Sequence, residues 1–348
     1  MQLKKKRVLL LHTGGTFGMH VDAGTNQVQP SNAGYLGGLL QKVPELADIA
    51  NLDLQILCNL DSSDMRAVIW RTLAETIVSR WDSFDGFVVV HGTDTMAYTA
   101  SALSFFMENV TKPIVLTGSQ RPLSVLRSDA RANIIDAVEL ATLGIPEIMI
   151  CFDSKVHRGT RVTKYSSEHM QAFRGYNAPP LGSFGVHFRV NKRSLRRKAQ
   201  ISTLAKPCLD CRANDNIIAI DCVPGMNLSP TVINAIVSSV RGIVIRGFGS
   251  GNLPIESSSW ISLCENAFKN KIPVVMATQC SAGMVSLNAY ENGRAFVERG
   301  VISGNDMSFE SLTVKLMVML GRQISFDTRH EFFAKPLSDE CIHQDDDI

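Results

Sequence analysis

The chain has 348 residues, of which 45% are hydrophobic and 20% are charged, and its formal net charge at pH 7 is +2. This is the composition of an ordinary globular chain long enough for two domains, and it excludes an intrinsically disordered protein. The nearly neutral charge argues against a nucleic-acid partner, and no apolar run approaches the roughly 20 residues of a membrane span, so we expect neither partner.

The first half of the chain alternates between apolar strands and amphipathic helices. Strands are predicted at residues 7–12, 54–57, 86–91, 113–117 and 147–152, and helices near residues 34–42, 66–80, 95–109 and 129–143. This alternation is the pattern of βαβ units, and it predicts an α/β fold with a doubly wound, mainly parallel sheet. The larger, N-terminal domain is expected to span residues 1–190.

The alternation stops after Lys164 and resumes near residue 217. Residues 191–215, which include the basic stretch 191–198, are predicted to form a solvated linker. A second set of elements follows, with strands at 217–221, 242–247 and 273–278 and helices at 229–240 and 257–269. It predicts a smaller C-terminal parallel α/β domain over residues 216–334. Residues 335–348 form a polar tail that we expect not to pack.

Two of the predicted strands end in loops that combine glycines with hydroxyl groups. The first strand runs into Thr13-Gly-Gly-Thr16, and the third runs into His91-Gly-Thr-Asp94. Because the carboxyl ends of parallel strands meet at one edge of a sheet, Thr16 and Thr93 are expected in one crevice. Capping of the following helix is the alternative role of Thr93 and Asp94.

These two segments resemble the signature motifs of the L-asparaginases, specifically of the bacterial cytoplasmic type I group. Three further segments agree with that family in the same order, namely Asp61-Ser-Ser-Asp-Met65, Thr117-Gly-Ser-Gln-Arg-Pro122 with Ser128-Asp-Ala-Arg-Ala-Asn133, and Arg158-Gly-Thr-Arg-Val-Thr-Lys164. The similarity covers roughly residues 7 to 330. It implies hydrolysis of the side-chain amide of L-asparagine to L-aspartate and ammonia through a threonine acyl-enzyme, without a cofactor.

Amide hydrolysis needs a nucleophile and a group that accepts the proton of that nucleophile. A lysine fulfils the second role only after it has lost its own proton, which burial or nearby charge favours. Lys164 is the candidate, and Asp94 would orient it, so that Thr93, Lys164 and Asp94 form a triad comparable to Ser-His-Asp with a different base. A surface lysine at the end of a hairpin is the alternative interpretation of Lys164.

The resemblance assigns the remaining roles at the site. It makes Thr16 the nucleophile, with the triad activating either that threonine or the deacylating water. It assigns the α-carboxylate of the substrate to Ser62 and Ser63, and the α-ammonium to Asp94. A helix cap is the alternative role of Ser62. The segment His20–Gln29 corresponds to the mobile lid of relatives but contains no tyrosine, so the side chain that assists the nucleophile is left open.

The resemblance also implies self-association as a dimer or a tetramer. In similar enzymes the small domain of one subunit completes the site of another, and Asn252 matches the residue that reaches across; a turn asparagine is the alternative. Some type I relatives bind asparagine at a second, activating site, whose matching residues here are Thr163, Arg246 and Cys280. A buried cysteine and an arginine paired with a carboxylate are the competing interpretation of the last two residues.

The eight cysteines are scattered along the chain, and we expect most of them to be reduced core residues of a cytoplasmic protein. Cys208-Leu-Asp-Cys211 has the spacing of half a zinc site, but no second pair follows at a useful distance, so no metal is expected.

Two other functions remain open. A specialised amidotransferase component shares these motifs but carries an extra domain before the first of them, whereas Thr13 here follows only a dozen residues. A non-catalytic amino-acid-binding regulator would keep Ser62 and Asp94 but could dispense with the two threonines and the lysine. Release of ammonia from asparagine by the purified chain separates these possibilities.

Overall fold

The computed structural model describes residues 4–21, 28–30, 38–195, 206–256 and 258–342. Parts of four predicted features lie outside these ranges: the lid segment, the helix expected near 34–42, the basic stretch of the linker and the end of the polar tail. The chain divides into two units, residues 1–211 and 212–348. Within the described ranges, no helix combines the length and the apolar character that crossing a membrane requires.

The first unit contains most of the strands. They are β1 (Arg7–Gly14), β2 (Met19–Val21), β3 (Val28–Pro30), β4 (Asn51–Leu60), β5 (Gly86–Val90), β6 (Met107–Glu108), β7 (Ile114–Thr117), β8 (Ile148–Phe152), β9 (Lys155–Arg158), β10 (Val162–Lys164), β11 (Phe173–Gly175), β12 (Gly182–Ser183), β13 (Arg189–Val190) and β14 (Cys208–Leu209). The α-helices of this unit are α1 (Leu39–Lys42), α2 (Leu46–Ile49), α3 (Ala67–Ser79), α4 (Met96–Phe106) and α5 (Ala130–Thr142).

Parallel strands form the centre of an eight-stranded sheet, whose order is β13-β12-β9-β8-β7-β5-β1-β4. Strands β4, β1, β5, β7 and β8 are parallel to one another, and β9 turns antiparallel to β8. The chain passes from β1 to β4 on one side and then returns to β5 on the other side of β1. The carboxyl ends of β1 and β5 therefore flank the point at which the winding reverses, where open α/β sheets bind their ligands.

Both faces of this sheet are buried, which explains why its central strands are uninterrupted apolar runs. Val88 and Val90 of β5 belong to the core that includes α5, and Phe87 and Val89 on the opposite face are also completely buried. Helix α5 contacts β1, β5, β7 and β8, and helix α4 contacts β7 and β8. The doubly wound, mainly parallel sheet predicted for the larger domain is confirmed.

The second unit has a parallel sheet of its own. Its elements are β15 (Ile217–Asp221), α6 (Pro230–Ser239), β16 (Gly242–Gly247), α7 (Ser258–Lys269), β17 (Val274–Thr278), α8 (Glu291–Val297), β18 (Ile302–Ser303), α9 (Phe309–Gly321) and α10 (Arg329–Ala334). The strand order is β15-β16-β17-β18, and every neighbouring pair is parallel. The smaller parallel α/β fold predicted for this half of the chain is also confirmed.

The polar segment after α10 packs, contrary to expectation, over its described part, residues 335–342. Glu340 is completely buried and lies 2.6 Å from the Nζ of Lys315 on α9, which is completely buried as well. The same Nζ donates to the backbone oxygens of Phe333 and Lys335, at 3.2 and 2.8 Å. The expectation fails because a buried cation from α9 compensates the carboxylate and ties down the backbone of the segment.

Candidate active site

Three loops meet where β1, β4 and β5 end. A Cβ atom on Gly15 would lie 2.4 Å from the Cα of Gly92, and a Cβ atom on Gly92 would lie 2.6 Å from the Oγ of Ser62. Gly15 also has a φ of 85°, which a residue with a side chain rarely adopts. Glycine at these two positions therefore allows both motif loops and the serine turn to touch one another.

Thr16 is the accessible hydroxyl of the first motif. It begins the short 3₁₀ helix Thr16–Gly18, in which Phe17 is buried and anchors the turn. Thr13 is also buried, and its Oγ1 donates to the backbone oxygen of Val90 at 3.1 Å. The Thr13 hydrogen bond thus holds the loop against β5. Thr16, which follows the contact between Gly15 and Gly92, is partly exposed.

Lys164, at the end of β10, joins the two functional groups of the second motif. Its Nζ lies 2.7 Å from the Oγ1 of Thr93 and 2.6 Å from the Oδ1 of Asp94. The Lys164 side chain is 15% exposed and that of Asp94 is 66% exposed. The ammonium donates to both oxygens, and the Thr93 hydroxyl donates to the Oε1 of Gln120 at 3.4 Å. The three side chains predicted as a triad form one hydrogen-bonded cluster at the rim of the crevice.

The nearby helices do not use these side chains as caps. Helix α4 has Thr95 at its N-cap position, so neither Thr93 nor Asp94 caps it. Helix α3 has Arg66 at its N-cap position, so capping that helix is not the role of Ser62. Capping of these helices is therefore not the role of Thr93, Asp94 or Ser62.

The turn after β4 presents its two serines differently. The Oδ1 of Asp61 accepts hydrogen bonds from the N–H and the Oγ of Ser63, both at 2.8 Å, and these bonds lower the pKa of the Asp61 carboxyl. Ser62 is 4% exposed, and its backbone oxygen accepts from the Oγ1 of Thr95 at 2.7 Å. Ser62 therefore lies inside the crevice, whereas Ser63 is exposed and its hydroxyl proton is committed to Asp61.

Gln120 is a site residue to which the sequence analysis gave no role. Its Oε1 accepts from Thr93, and its Nε2 donates to the backbone oxygen of His169 at 3.1 Å. Its N–H donates to the carboxylate of Asp129 at 2.9 Å, which fixes the backbone of the loop. Its position in the sequence could have indicated this role. Gln120 follows the end of β7, the neighbour of β5 in the sheet, just as Thr93 follows the end of β5.

A buried relay of hydrogen bonds fixes the start of the second motif. The Nε1 of Trp70 donates to the Oγ1 of Thr99 at 2.9 Å, and that oxygen lies 2.8 Å from the Nε2 of His91. The Nδ1 of His91 lies 2.7 Å from the backbone oxygen of Gly92, which can only accept, so Nδ1 carries the proton. Burial lowers the pKa of His91 to about 4 and keeps the ring neutral. The peptide bond between Gly92 and Thr93 is trans, so the Thr93 N–H points in the direction opposite to the Gly92 oxygen. Because that oxygen faces the His91 ring, the Thr93 N–H points away from His91.

Three residues predicted for a shared or second site belong to the second unit. Asn252 closes a turn through backbone hydrogen bonds of 2.8 and 2.9 Å. The Nη1 of Arg246 lies 3.3 Å from the carboxylate of Asp221, which agrees with the interpretation of Arg246 as an arginine paired with a carboxylate. Cys280 is exposed, which contradicts the interpretation of it as a buried cysteine. Thr163, the fourth residue, lies on β10 of the first unit, next to the triad lysine.

The described residues offer no obvious metal centre. Cys208, from the pair with the spacing of half a zinc site, is exposed, and Cys211 is partly buried. Nowhere in the described ranges do three His, Cys, Asp or Glu side chains gather closely enough to hold a metal ion.

Comparison with known proteins identifies the family of the chain. Residues 7–196 match the family model described as "Asparaginase, N-terminal", and residues 216–333 match "Glutaminase/Asparaginase C-terminal domain". L-asparaginase 1 of Escherichia coli strain K12 is 34% identical over 355 residues, which cover 99% of this chain and 100% of that protein. A glutamyl-tRNA(Gln) amidotransferase subunit of Pyrococcus abyssi is 34% identical over 323 residues, which cover 90% of this chain and 72% of that protein.

The fold agrees with solved structures of the same family. The crystal structure of L-asparaginase I from Vibrio cholerae matches with a TM-score of 0.85 and 32% sequence identity, covering 97% of this chain and 99% of that chain. The two family models account for both halves of the chain, and the motifs that carry the sequence resemblance lie within the first match. The chain is a member of the asparaginase family.

Proposed function

We propose that this protein hydrolyses the side-chain amide of L-asparagine to L-aspartate and ammonia. Family membership sets the class of reaction. The observation that carries the proposal is the position of the Lys164 Nζ, which lies 2.7 Å from the Thr93 Oγ1 and 2.6 Å from the Asp94 Oδ1. A hydroxyl, an amine and an orienting carboxylate in direct hydrogen-bond contact can transfer the proton that nucleophilic attack on an amide requires.

Thr16 is proposed as the nucleophile. Its hydroxyl is the accessible one of the first loop, and the adjacent Gly15 touches Gly92 of the loop that carries the proton-transfer cluster. Attack of the Thr16 oxygen on the amide carbon and loss of ammonia would leave an aspartyl ester on the enzyme. Water would then cleave that ester and release aspartate.

The triad would serve both halves of this reaction. Lys164 would first lose its ammonium proton to solvent, and the Thr93 hydroxyl would turn from Gln120 to the neutral amine. The amine would then accept the proton of Thr93, whose oxygen in turn takes the proton of the nucleophile or of the deacylating water. The resulting ammonium of Lys164 returns the proton, through the same hydroxyl, to the amide nitrogen of the tetrahedral intermediate, which then departs as ammonia. Asp94 stabilises the charged lysine in between, as the carboxylate of a Ser-His-Asp triad does for its imidazolium.

The remaining groups would bind the substrate and the developing oxyanion. The relay through His91 directs the N–H of Thr93 away from the buried ring, and we infer that this N–H donates to the oxyanion; such a donor contributes ~2.7–4 kcal/mol. Lys164 engages only the Oδ1 of Asp94, so the other carboxylate oxygen is placed to bind the α-ammonium. Ser62 and Ser63 would hold the α-carboxylate, for which the Ser63 hydroxyl would turn from Asp61 to the substrate.

A second candidate function is that of an amidotransferase component. The amidotransferase protein of Pyrococcus abyssi is as similar in identity as the Escherichia coli asparaginase, at 34%. Turnover of free asparagine by the purified chain alone favours the asparaginase, whereas turnover that appears only with a partner protein and tRNA favours the amidotransferase.

Self-association and a cytoplasmic location complete the proposal. A dimer or tetramer would let Asn252 reach the site of another protomer, and a fully active monomer in sedimentation analysis would contradict this. All eight cysteines are free, as expected for a reducing compartment.

Thr163, Arg246 and Cys280 are proposed to line an activating site for asparagine. A hyperbolic dependence of rate on asparagine that Cys280→Ala leaves unchanged would contradict that second site.

Ammonia release from L-asparagine and L-glutamine tests the function directly. The purified chain should turn over asparagine, and Thr16→Ala and Thr93→Ala should each lower kcat by ~10³-fold or more while the protein folds normally. Thr72→Ala is the matched control, because the Thr72 hydroxyl is exposed on α3 and bonds only within its own helix. Wild-type inactivity on both substrates, or near-normal activity of either loop variant, would overturn the proposal.

A further inference from the structure

A pocket of about 470 Å³ lies in the first unit beside the hairpin formed by β10 and β11. Its lining includes Lys155 and His157 of β9, Tyr165 just after β10, and Phe173 and Arg174 of β11. This volume falls within the roughly 300–1,000 Å³ typical of small-molecule sites. None of these residues has a role in the proposed hydrolysis.

The charge of the pocket suits an anion. Lys155 and Arg174 contribute two cations, and none of the lining residues is acidic. The guanidinium of Arg174 lies 5.1 Å from the ring centroid of Tyr165, which holds that cation over the aromatic wall. Across the ranges that the structure describes, the side-chain ammonium of Lys155 has neither a hydrogen-bond nor an ion-pair partner.

His157 adds an unpaired polar group to the pocket wall. It is 4% exposed, and neither ring nitrogen has a hydrogen-bond partner among the described residues. Burial, together with the nearby charge of Lys155, lowers the pKa of His157 to about 4, so the ring is neutral with one donor and one acceptor unused. Leaving such groups unpaired is unfavourable, and a polar ligand atom would relieve it.

We propose that this pocket binds a small organic anion, whose carboxylate or phosphate lies between Lys155 and Arg174. Its body packs against Tyr165, and one nitrogen of His157 turns to hydrogen-bond with it. Arg174 pairs in register with the residue before Lys164, and the N–H of Tyr165 donates to the oxygen of Ala172 at 2.9 Å. A bound ligand would therefore contact the hairpin that carries the triad lysine.

Calorimetric titration of the purified full chain tests the ligand class with three probes: phenylacetate, adenosine monophosphate and inorganic phosphate. We expect one of the two organic anions to bind with a Kd of about 1 mM or tighter, and inorganic phosphate to bind at least about tenfold more weakly. Preference for phenylacetate identifies a carboxylate ligand, and preference for the nucleotide identifies a phosphate ligand. Absence of binding by both organic probes, or equal binding of inorganic phosphate, overturns the proposal.

Two variants locate the binding. Lys155→Met should weaken binding by at least about tenfold, because it removes a charge-assisted contact, while Lys269→Met on α7 of the second unit is the matched control and should leave it unchanged. His157→Phe should weaken binding and raise the midpoint of thermal unfolding, because it removes the unpaired nitrogens. Equal binding by Lys155→Met and wild type overturns the site even if His157→Phe fails to fold. Calorimetry requires no turnover, so this result is independent of asparagine hydrolysis.

Discussion

Replacing Lys315 with methionine tests the buried ion pair that holds the segment after α10. The Lys315 Nζ lies 2.6 Å from Glu340 and also donates to two backbone oxygens, at 3.2 and 2.8 Å. Both side chains are completely buried. The variant leaves a carboxylate buried without its cation, which typically costs ~3–5 kcal/mol. That is a large part of the ~5–15 kcal/mol by which a domain is stable.

Hydrogen exchange read by mass spectrometry measures this loss over peptides that cover residues 309–342. A loss of about 3 kcal/mol or more accelerates exchange there by more than about 100-fold. Lys335→Met makes the same chemical change at an exposed side chain and should leave exchange unchanged. Adding Glu340→Gln to Lys315→Met should restore much of the protection, because no buried charge then remains. Equal exchange in Lys315→Met and Lys335→Met would mean that the buried ion pair does not hold this segment.

Three further predictions concern pH and the site. Burial lowers the pKa of His12, His91 and His157 from 6.5 to about 4, so the unfolded chain takes up protons that the folded chain does not as the pH falls from about 6.5 to 4. Each histidine should then cost up to ~3 kcal/mol of stability, and a urea unfolding free energy that is equal at pH 7 and pH 4.5 would contradict this. Ser62→Ala should raise the KM for asparagine more than it lowers kcat, and an unchanged KM would remove Ser62 from substrate binding. Gln120→Ala should lower kcat by about tenfold through Thr93, while equal kcat values would make that hydrogen bond incidental.

The central part of the fold could be predicted from sequence because the strands of a doubly wound sheet are buried on both faces. Strand β5, at Gly86–Val90, is completely buried and follows the predicted apolar run to within one residue. Strand β4, at Asn51–Leu60, is much longer than the strand predicted at 54–57. It forms an edge of the sheet, where exposed polar residues interrupt the apolar run without ending the strand.

The candidate site was predictable in part because its residues follow strand ends and lie in recognisable motifs. The contact between Lys164 and Thr93 joins residues 71 positions apart, so it follows from the family resemblance and not from local pattern. Gln120 had the same strand-end signal, but an amide side chain suggests no chemistry on its own. The segment around Glu340 was misjudged because its cation comes from a helix 25 positions earlier in the chain.

The nucleophile can be identified by mass spectrometry of the protein quenched in acid during turnover of L-asparagine. We expect an added aspartyl group on the tryptic peptide of residues 8–42, with fragment ions that place it on Thr16. The adduct should vanish in Thr16→Ala and should form far more slowly in Lys164→Met. An aspartyl group found on Thr93, or one that persists in Thr16→Ala, would contradict the assignment of the nucleophile.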